Sequence, residues 1–324
     1  MNKIVAGIAI VSLAANVFMV ADLLSRYPET VPQTVGYPFL AKRIFIENPN
    51  DIIINFVPLR QKLREYIAGV AEKAGIFFEY LPTGTGIGVN DREPFFRASL
   101  VKIPAVMRAY KLIEEGKLAF TDILTLEEYH LDKEYGSLWQ LGAGAKVTVR
   151  EAIRLAVVES DNTAYEVLND RVNELLQAPV GEERNISDVY DYLDIPSDTD
   201  GLTLDVTPRN YSSILRSLFF SAYLTYEHSN ELLTLMTQST FTEGITGPLG
   251  EGVKAAHKFG IRKSFSDDQD VFSDCGIVYL PQRPYILCVM VKSEEEDTAS
   301  RLMQEISRMV YEYLTLINPA VNQA

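Results

Sequence analysis

The chain has 324 residues, 47% of them apolar, and a formal net charge of −14. That length suits one large domain or two smaller ones, and the apolar share is enough for a sizeable core. The acidity argues against nucleic acid or an anionic lipid surface as the main partner.

Lys3 precedes an apolar run over residues 4–21 that only Ser12 and Asn16 interrupt, and Leu23 and Leu24 extend it. A spanning helix needs about 20 such residues. Residues 1–24 therefore read as a membrane anchor, with a cleaved export signal as the alternative. Ala21 suits a cleavage site, but Met19 stands where a second small residue belongs. Lys3 before the run places the remainder outside the cytoplasm by the positive-inside rule. Residues 25–55, with Pro28, Pro32, Pro38 and Pro49, read as an extended linker.

Leu59, Leu63, Ile67, Val70 and Ala71 recur at helical spacing, which predicts a helix over 56–74 ended by Gly75. Strands are expected at 76–80 and 86–89, joined by Pro82-Thr83-Gly84-Thr85. Helices follow over 99–115, 149–159, 162–176, 207–224 and 230–238. Strands return at 255–262, 271–280 and 285–292, and a last helix covers 298–316. This order predicts an α/β two-lobe fold: an antiparallel sheet built from both chain ends and flanked by helices, plus an all-helical lobe. The folded domain is placed at 56–318 and a tail at 319–324.

Cys275 and Cys288 fall in successive strands. Two half-buried thiols are the simpler reading, and an exported location permits a disulfide. His130, His228 and His257 are scattered, so neither a metal nor a cofactor is expected.

Three motifs carry chemistry. Ser99 and Lys102 lie three apart at a helix head, hence on one face. A desolvated lysine has a lowered pKa and can take the proton of a serine hydroxyl that is otherwise a poor nucleophile. By composition such a pair arises about once per chain of this size, and Ser99 as a plain N-cap is the alternative. Ser160-Asp161-Asn162 is rarer, about one chain in twenty. Read functionally, Ser160 relays a proton between Lys102 and a leaving nitrogen, Asn162 holds a substrate amide, and Asp161 braces the loop. Read structurally, the tripeptide is a turn, with Asn162 capping the next helix. Lys258-Phe259-Gly260 opens a strand, where Lys258 can face a substrate carboxylate and Gly260 allows close backbone approach. The backbone N–H groups of Ser99 and Ile261 would then form an oxyanion hole. A second K-x-G, Lys73-Ala74-Gly75, reads as a helix stop.

In order and spacing these residues resemble class A serine β-lactamases and penicillin-binding serine hydrolases. So do their surroundings: Ser99-Leu-Val-Lys-Ile-Pro104, Val147-Thr-Val-Arg-Glu151, Ser160-Asp-Asn-Thr-Ala164 and His257-Lys-Phe-Gly260. The similarity runs over residues 56–316. It implies a Ser99 acyl-enzyme formed from β-lactams or D-alanyl-D-alanine cell-wall peptides. A D,D-carboxypeptidase or transpeptidase, or a catalytically weak binding module for cell-wall peptide, are the alternatives.

Two departures stand out. Phe259 replaces the hydroxyl residue with which the family helps bind a substrate carboxylate. The segment 193–206 holds no glutamate where class A enzymes carry the base that activates the deacylating water. Asp194, Asp198, Asp200 and Asp205 lie there, outside the expected pattern, and read as turn residues. Slow deacylation is therefore expected.

Overall fold

The computed structural model describes residues 54–178, 184–196, 205–263 and 269–316. The expected leader, the linker up to residue 53, Asp198, Asp200 and the tail lie outside them. Among the described residues no helix is long and apolar enough to cross a membrane.

Helix α1, Val57–Ala68, buries Leu59, Leu63 and Ile67 on one face and ends at Gly69. The helix predicted to run to residue 74 stops short because residues 73–75 belong to a strand. β1 spans Lys73–Tyr80 and β2 Thr85–Val89. Lys73-Ala74-Gly75 is thus no helix stop. Gly75 is needed for packing, since a Cβ there would meet the Phe95 ring at 2.8 Å and the Asn90 carbonyl at 3.0 Å.

Strand β3, Phe95–Phe96, leads into a 3₁₀ turn at Ala98–Val101 and helix α2, Lys102–Glu114. A small hairpin of β4, Ile123–Thr125, and β5, Lys146–Thr148, precedes α3, Val149–Arg154. That helix widens into a π-helical turn, Leu155–Glu159, and α4, Asn162–Leu175, follows. Next come α5, Arg184–Tyr192; β6, Asp205–Val206; α6, Pro208–Phe219; and α7, Tyr226–Met236. The chain closes with β7, Ala255–Arg262; β8, Asp270–Val278; β9, Tyr285–Ser293; and α8, Glu296–Leu316.

The main sheet has five strands in the order β2-β1-β9-β8-β7, all neighbours antiparallel. β1 and β9 pair over their whole lengths, so the two chain ends close one sheet as the sequence leads one to expect. Both faces are covered. One carries α1 and α8, through Leu63, Phe78, Val289, Ile306 and Val310. The other meets the helical lobe, through Ile103, Met107, Tyr211, Ile214 and Ile286. Cys275 and Cys288 sit opposite one another on β8 and β9, fully buried and joined by a disulfide. The two-thiol reading is corrected: direct register across adjacent antiparallel strands brings the sulfurs together.

Candidate active site

The three motifs converge between the helical lobe and β7. Ser99 lies in the 3₁₀ turn rather than in the α-helix proper, which starts at Lys102. Ala98, just before it, is held at φ +43°, a conformation that costs a non-glycine residue about 1–3 kcal/mol. No side-chain cap bond forms at this helix start, so Ser99 is not an N-cap. Gly260 abuts the turn. A Cβ there would stand 3.2 Å from Ser99 N and 3.2 Å from the Ala98 Cβ, so only glycine lets β7 run this close to the serine. The same contact sets the amides of Ser99 and Ile261, the expected oxyanion pair, on neighbouring pieces of backbone.

Lys102 is buried at 2% exposure. Its amine donates to the Ser160 carbonyl and to Asn162 Oδ1 at 2.6 Å, and lies 3.4 Å from Ser160 Oγ. Burial lowers its pKa to about 7, with Asp161, Asp132 and Glu166 opposing the shift. A neutral amine has two N–H donors and one lone pair. The two short bonds use the donors and leave the lone pair as the proton acceptor. Within this network Lys102 bonds the second motif and not Ser99 itself.

The second motif sits where the π-helical turn ends. Ser160 is left-handed, at φ +56°, and fully buried. Asp161 explains why the loop holds. Its Oδ1 accepts from Ala164 N–H at 2.8 Å, and Oδ2 from Ser137 N–H at 2.7 Å and Leu138 N–H at 2.8 Å. It caps α4 and ties the 132–138 loop to the motif, the bracing role expected for it. Gly136, at φ +94°, is the matching piece: a Cβ would lie 2.2 Å from Asp161 Oδ2. Asn162 is not the cap, and its carbonyl oxygen faces Lys102.

Lys258 is fully buried on β7. It donates to Ser160 Oγ at 2.7 Å and to its neighbour's carbonyl, Phe259 O, at 3.1 Å. Its amine also lies 4.3 Å from the Phe259 ring centre. Burial, then the charge of Lys102, pushes its pKa well below the ordinary lysine value. Ser160 Oγ thus lies between two lysine amines. The strand is held from behind: His257 Nδ1 pairs with Asp274 Oδ1 at 2.8 Å, and Asp274 Oδ2 accepts from Ile245 N–H at 2.9 Å.

Several neighbours escaped sequence reasoning. Glu166, one helical turn after Asn162 on α4, is half-buried. Burial and then Asp170 raise its pKa, while Lys102 pulls it down. Its i, i+4 relation to Asn162 was the available signal. Asp274, Tyr135 and Phe241 carried none, since only the folded sheet and loops bring them here. Asp194 and Asp205 are exposed, at the end of α5 and in β6. Among the described residues no cluster could hold a metal ion.

The model of the beta-lactamase enzyme family matches residues 58–314. Among solved structures, that of PBP-A is similar with 24% identity and a TM-score of 0.69, over 80% of this chain and 97% of the other. A β-lactamase from Sphaerobacter thermophilus DSM 20745 is 21% identical, with a TM-score of 0.68, over 82% of this chain and 100% of its own. The TLA-1 extended-spectrum β-lactamase is 19% identical, with a TM-score of 0.69, over 79% and 98% respectively. At these identities the likeness is one of fold. No curated protein matches significantly.

Proposed function

Because the chain belongs to the beta-lactamase enzyme family, a family of serine hydrolases, we propose that Ser99 is its nucleophile and forms an acyl ester with β-lactams or D-alanyl-D-alanine-type cell-wall peptides. The observation that carries this reading is the Lys102 amine, buried, lowered to about 7 and held by two acceptors with its lone pair left over. Lys102 accepts the Ser99 proton as Oγ attacks the carbonyl carbon. The oxyanion settles between the amides of Ser99 and Ile261. Ser160, oriented by Lys258, relays that proton from Lys102 to the departing nitrogen as the C–N bond breaks. The amide nitrogen of Asn162, opposite the oxygen that Lys102 engages, is placed to meet a substrate carbonyl. Gly260, expected to make room for substrate, instead lets β7 lie against the Ser99 turn and so keeps the two oxyanion amides side by side.

Hydrolysis of the ester needs a second base. Asp194 and Asp205 are exposed, and the described parts of the 193–206 segment hold no glutamate. Deacylation is accordingly slow, and the enzyme behaves toward penicillins as a penicillin-binding enzyme does. PBP-A supports the parallel, since a mutant of it is known as an acyl-enzyme complex with penicillin G. A rapid-mixing experiment with benzylpenicillin tests the reading: one equivalent of burst followed by slow turnover is expected. Steady hydrolysis without a burst would contradict it. Release of D-alanine from a D-alanyl-D-alanine peptide separates a peptidase from a β-lactamase. Absence of any covalent adduct would leave a binding module. The N-terminal apolar run supports a site of action outside the cytoplasm, anchored to the membrane by residues 4–24 or secreted after cleavage. Proteolysis of intact cells, with the protein degraded from outside, checks the location.

A further inference from the structure

Strand β7 passes the site with Lys258, Gly260 and Arg262 alternating onto one face, and the Ser99 turn lies against Gly260. At the rise of a strand the two cationic residues are about 13 Å apart, one on each side of the serine turn. The Lys258 end is packed. Phe259 stacks on Phe241 with ring centres 4.4 Å apart and meets Tyr135 edge-on at 5.5 Å. The Lys258 amine is taken up by Ser160 Oγ and Phe259 O. The other end is open. Arg262 is exposed, and its guanidinium lies over the Phe96 ring, 4.3 Å from the ring centre. Phe96 stands three residues before Ser99, so this stacking holds the charge beside the serine turn instead of leaving it to swing in water.

Arg262 has a second cation in register. Val271 stands opposite Arg262 on one side and opposite Lys292 on the other, so the two share a sheet face about 10 Å apart. Lys292 lies over the Phe95 ring at 5.3 Å. Other cations nearby are neutralised, Lys263 by Glu296 and Asp270, and Lys73 by Glu93. Among the described residues neither Arg262 nor Lys292 pairs with an acid, although Asp205 stands opposite Phe96 on β6. Acids outnumber lysines and arginines 44 to 30 in this chain. An arginine held without one at the rim of the site is therefore open to an anion from outside. The direction of the reaction fixes which part of a substrate it meets. Ser160 hands a proton to the departing nitrogen at the Lys258 end, and the carbonyl oxygen lies at the Ile261 amide. The acyl part of the substrate then continues past Ile261 toward Arg262.

We infer that Arg262 is a specificity-determining residue that pairs with a carboxylate on the acyl side of the scissile bond. The preferred acyl donors are then β-lactams with an anionic acyl side chain, or D-alanyl-D-alanine peptides whose preceding residue carries a free carboxylate. A planar guanidinium can meet such a group with two parallel hydrogen bonds. The inference rests on the Ser99 acyl-enzyme reading and adds the substrate class to it. The test compares rates of Ser99 acylation, followed by intact mass, for benzylpenicillin and carbenicillin, which differ by one carboxylate on the acyl side chain. Arg262→Gln should lower the carbenicillin-to-benzylpenicillin ratio about tenfold and Arg262→Glu further, while Arg262→Lys should keep part of the preference. Lys292→Gln, two strands away from β7, should lower it no more than about twofold. A ratio unchanged in Arg262→Gln and Arg262→Glu would overturn the inference and leave the acyl-enzyme reading standing. An equal fall in Lys292→Gln would overturn it too, making the preference a property of the general field. D-alanine release from peptides with Glu or Gln before the D-alanyl pair tells the two sources of the carboxylate apart, and the Glu peptide should lose its advantage in Arg262→Gln. Phenylacetamidomethylboronic acid and its α-carboxy derivative, which bond reversibly to an active serine, carry the acyl side alone. If no penicillin or peptide reacts while the carboxylated boronate binds the wild type more tightly than Arg262→Gln, the acyl-transfer reading fails and the Arg262 site stands. If the boronates show no such difference, the Arg262 site fails.

Discussion

Lys102 and Lys258 are the same residue type, equally withdrawn from water, on opposite sides of one serine hydroxyl. Their surroundings differ. Lys102, at the head of α2, has a carbonyl, an amide oxygen and three acids within its field, and these offset part of the burial, leaving a pKa of about 7. Lys258, on β7, donates to a hydroxyl and one carbonyl beside an aromatic ring; burial and then the charge of Lys102 push its pKa well below the ordinary lysine value, with Asp274 opposing. The first is set to exchange a proton near neutrality. The second donates to Ser160 Oγ and orients it. A buried lysine's chemistry is decided by its compensating acceptors rather than by burial alone.

The strongest way to break that division of labour is at the nucleophile and its base. Ser99→Ala should abolish covalent labelling by a fluorescent penicillin while thermal stability changes little. Labelling at the wild-type rate would sink the assignment. Lys102→Ala should slow acylation by about 10²–10⁴, the range for loss of a general base; normal labelling would make Lys102 a structural cation only.

The pH dependence sharpens the comparison. Lys102 must be neutral to accept the Ser99 proton. The acylation rate should therefore be level above about pH 8 and fall about tenfold per pH unit below about 6, with a midpoint near 7. A flat profile from pH 5 to 9 would remove Lys102 from the proton path. Lys258→Ala should cost about tenfold, the loss of its hydrogen bond to Ser160 Oγ. A loss confined to substrates that bear a carboxylate would mean that Lys258 acts on that group rather than on Ser160. The smallest effect is expected from Glu166→Gln. The Glu166 charge favours protonated Lys102, so its removal should move the acylation midpoint to lower pH by less than about one unit. A shift upward would show that the two groups do not communicate as placed. A large loss of deacylation in this variant would mark Glu166 as the missing base.

The sequence carried most of this fold. β7 was placed at 255–262, as found, and the one sheet closed by both ends followed from the order of periods. The reading failed between residues 69 and 75, where Val70 and Ala71 continue a helical spacing although β1 claims the chain at Lys73 by pairing with β9. Sheet pairing overrode local periodicity there. Helix α5 and the two-residue strands β3 and β6 were missed because short elements carry too little pattern. The three motifs were legible because each packs its chemistry into three or four residues. Glu166, Asp274, Tyr135 and Phe241 were not, because their roles arise from tertiary neighbours. The cysteine pair was also decided by register, which no spacing of thirteen residues reveals.

The most direct test of the Ser99–Lys102 account is the intact mass of the full chain at pH 7.5 before and after benzylpenicillin, followed over hours beside the Ser99→Ala variant. The expected result is a single adduct of one intact penicillin per chain, formed within the burst, mapped to Ser99, persisting for hours and absent from the variant. An adduct of equal yield in the variant, or unmodified wild-type protein alongside intact penicillin, would contradict it.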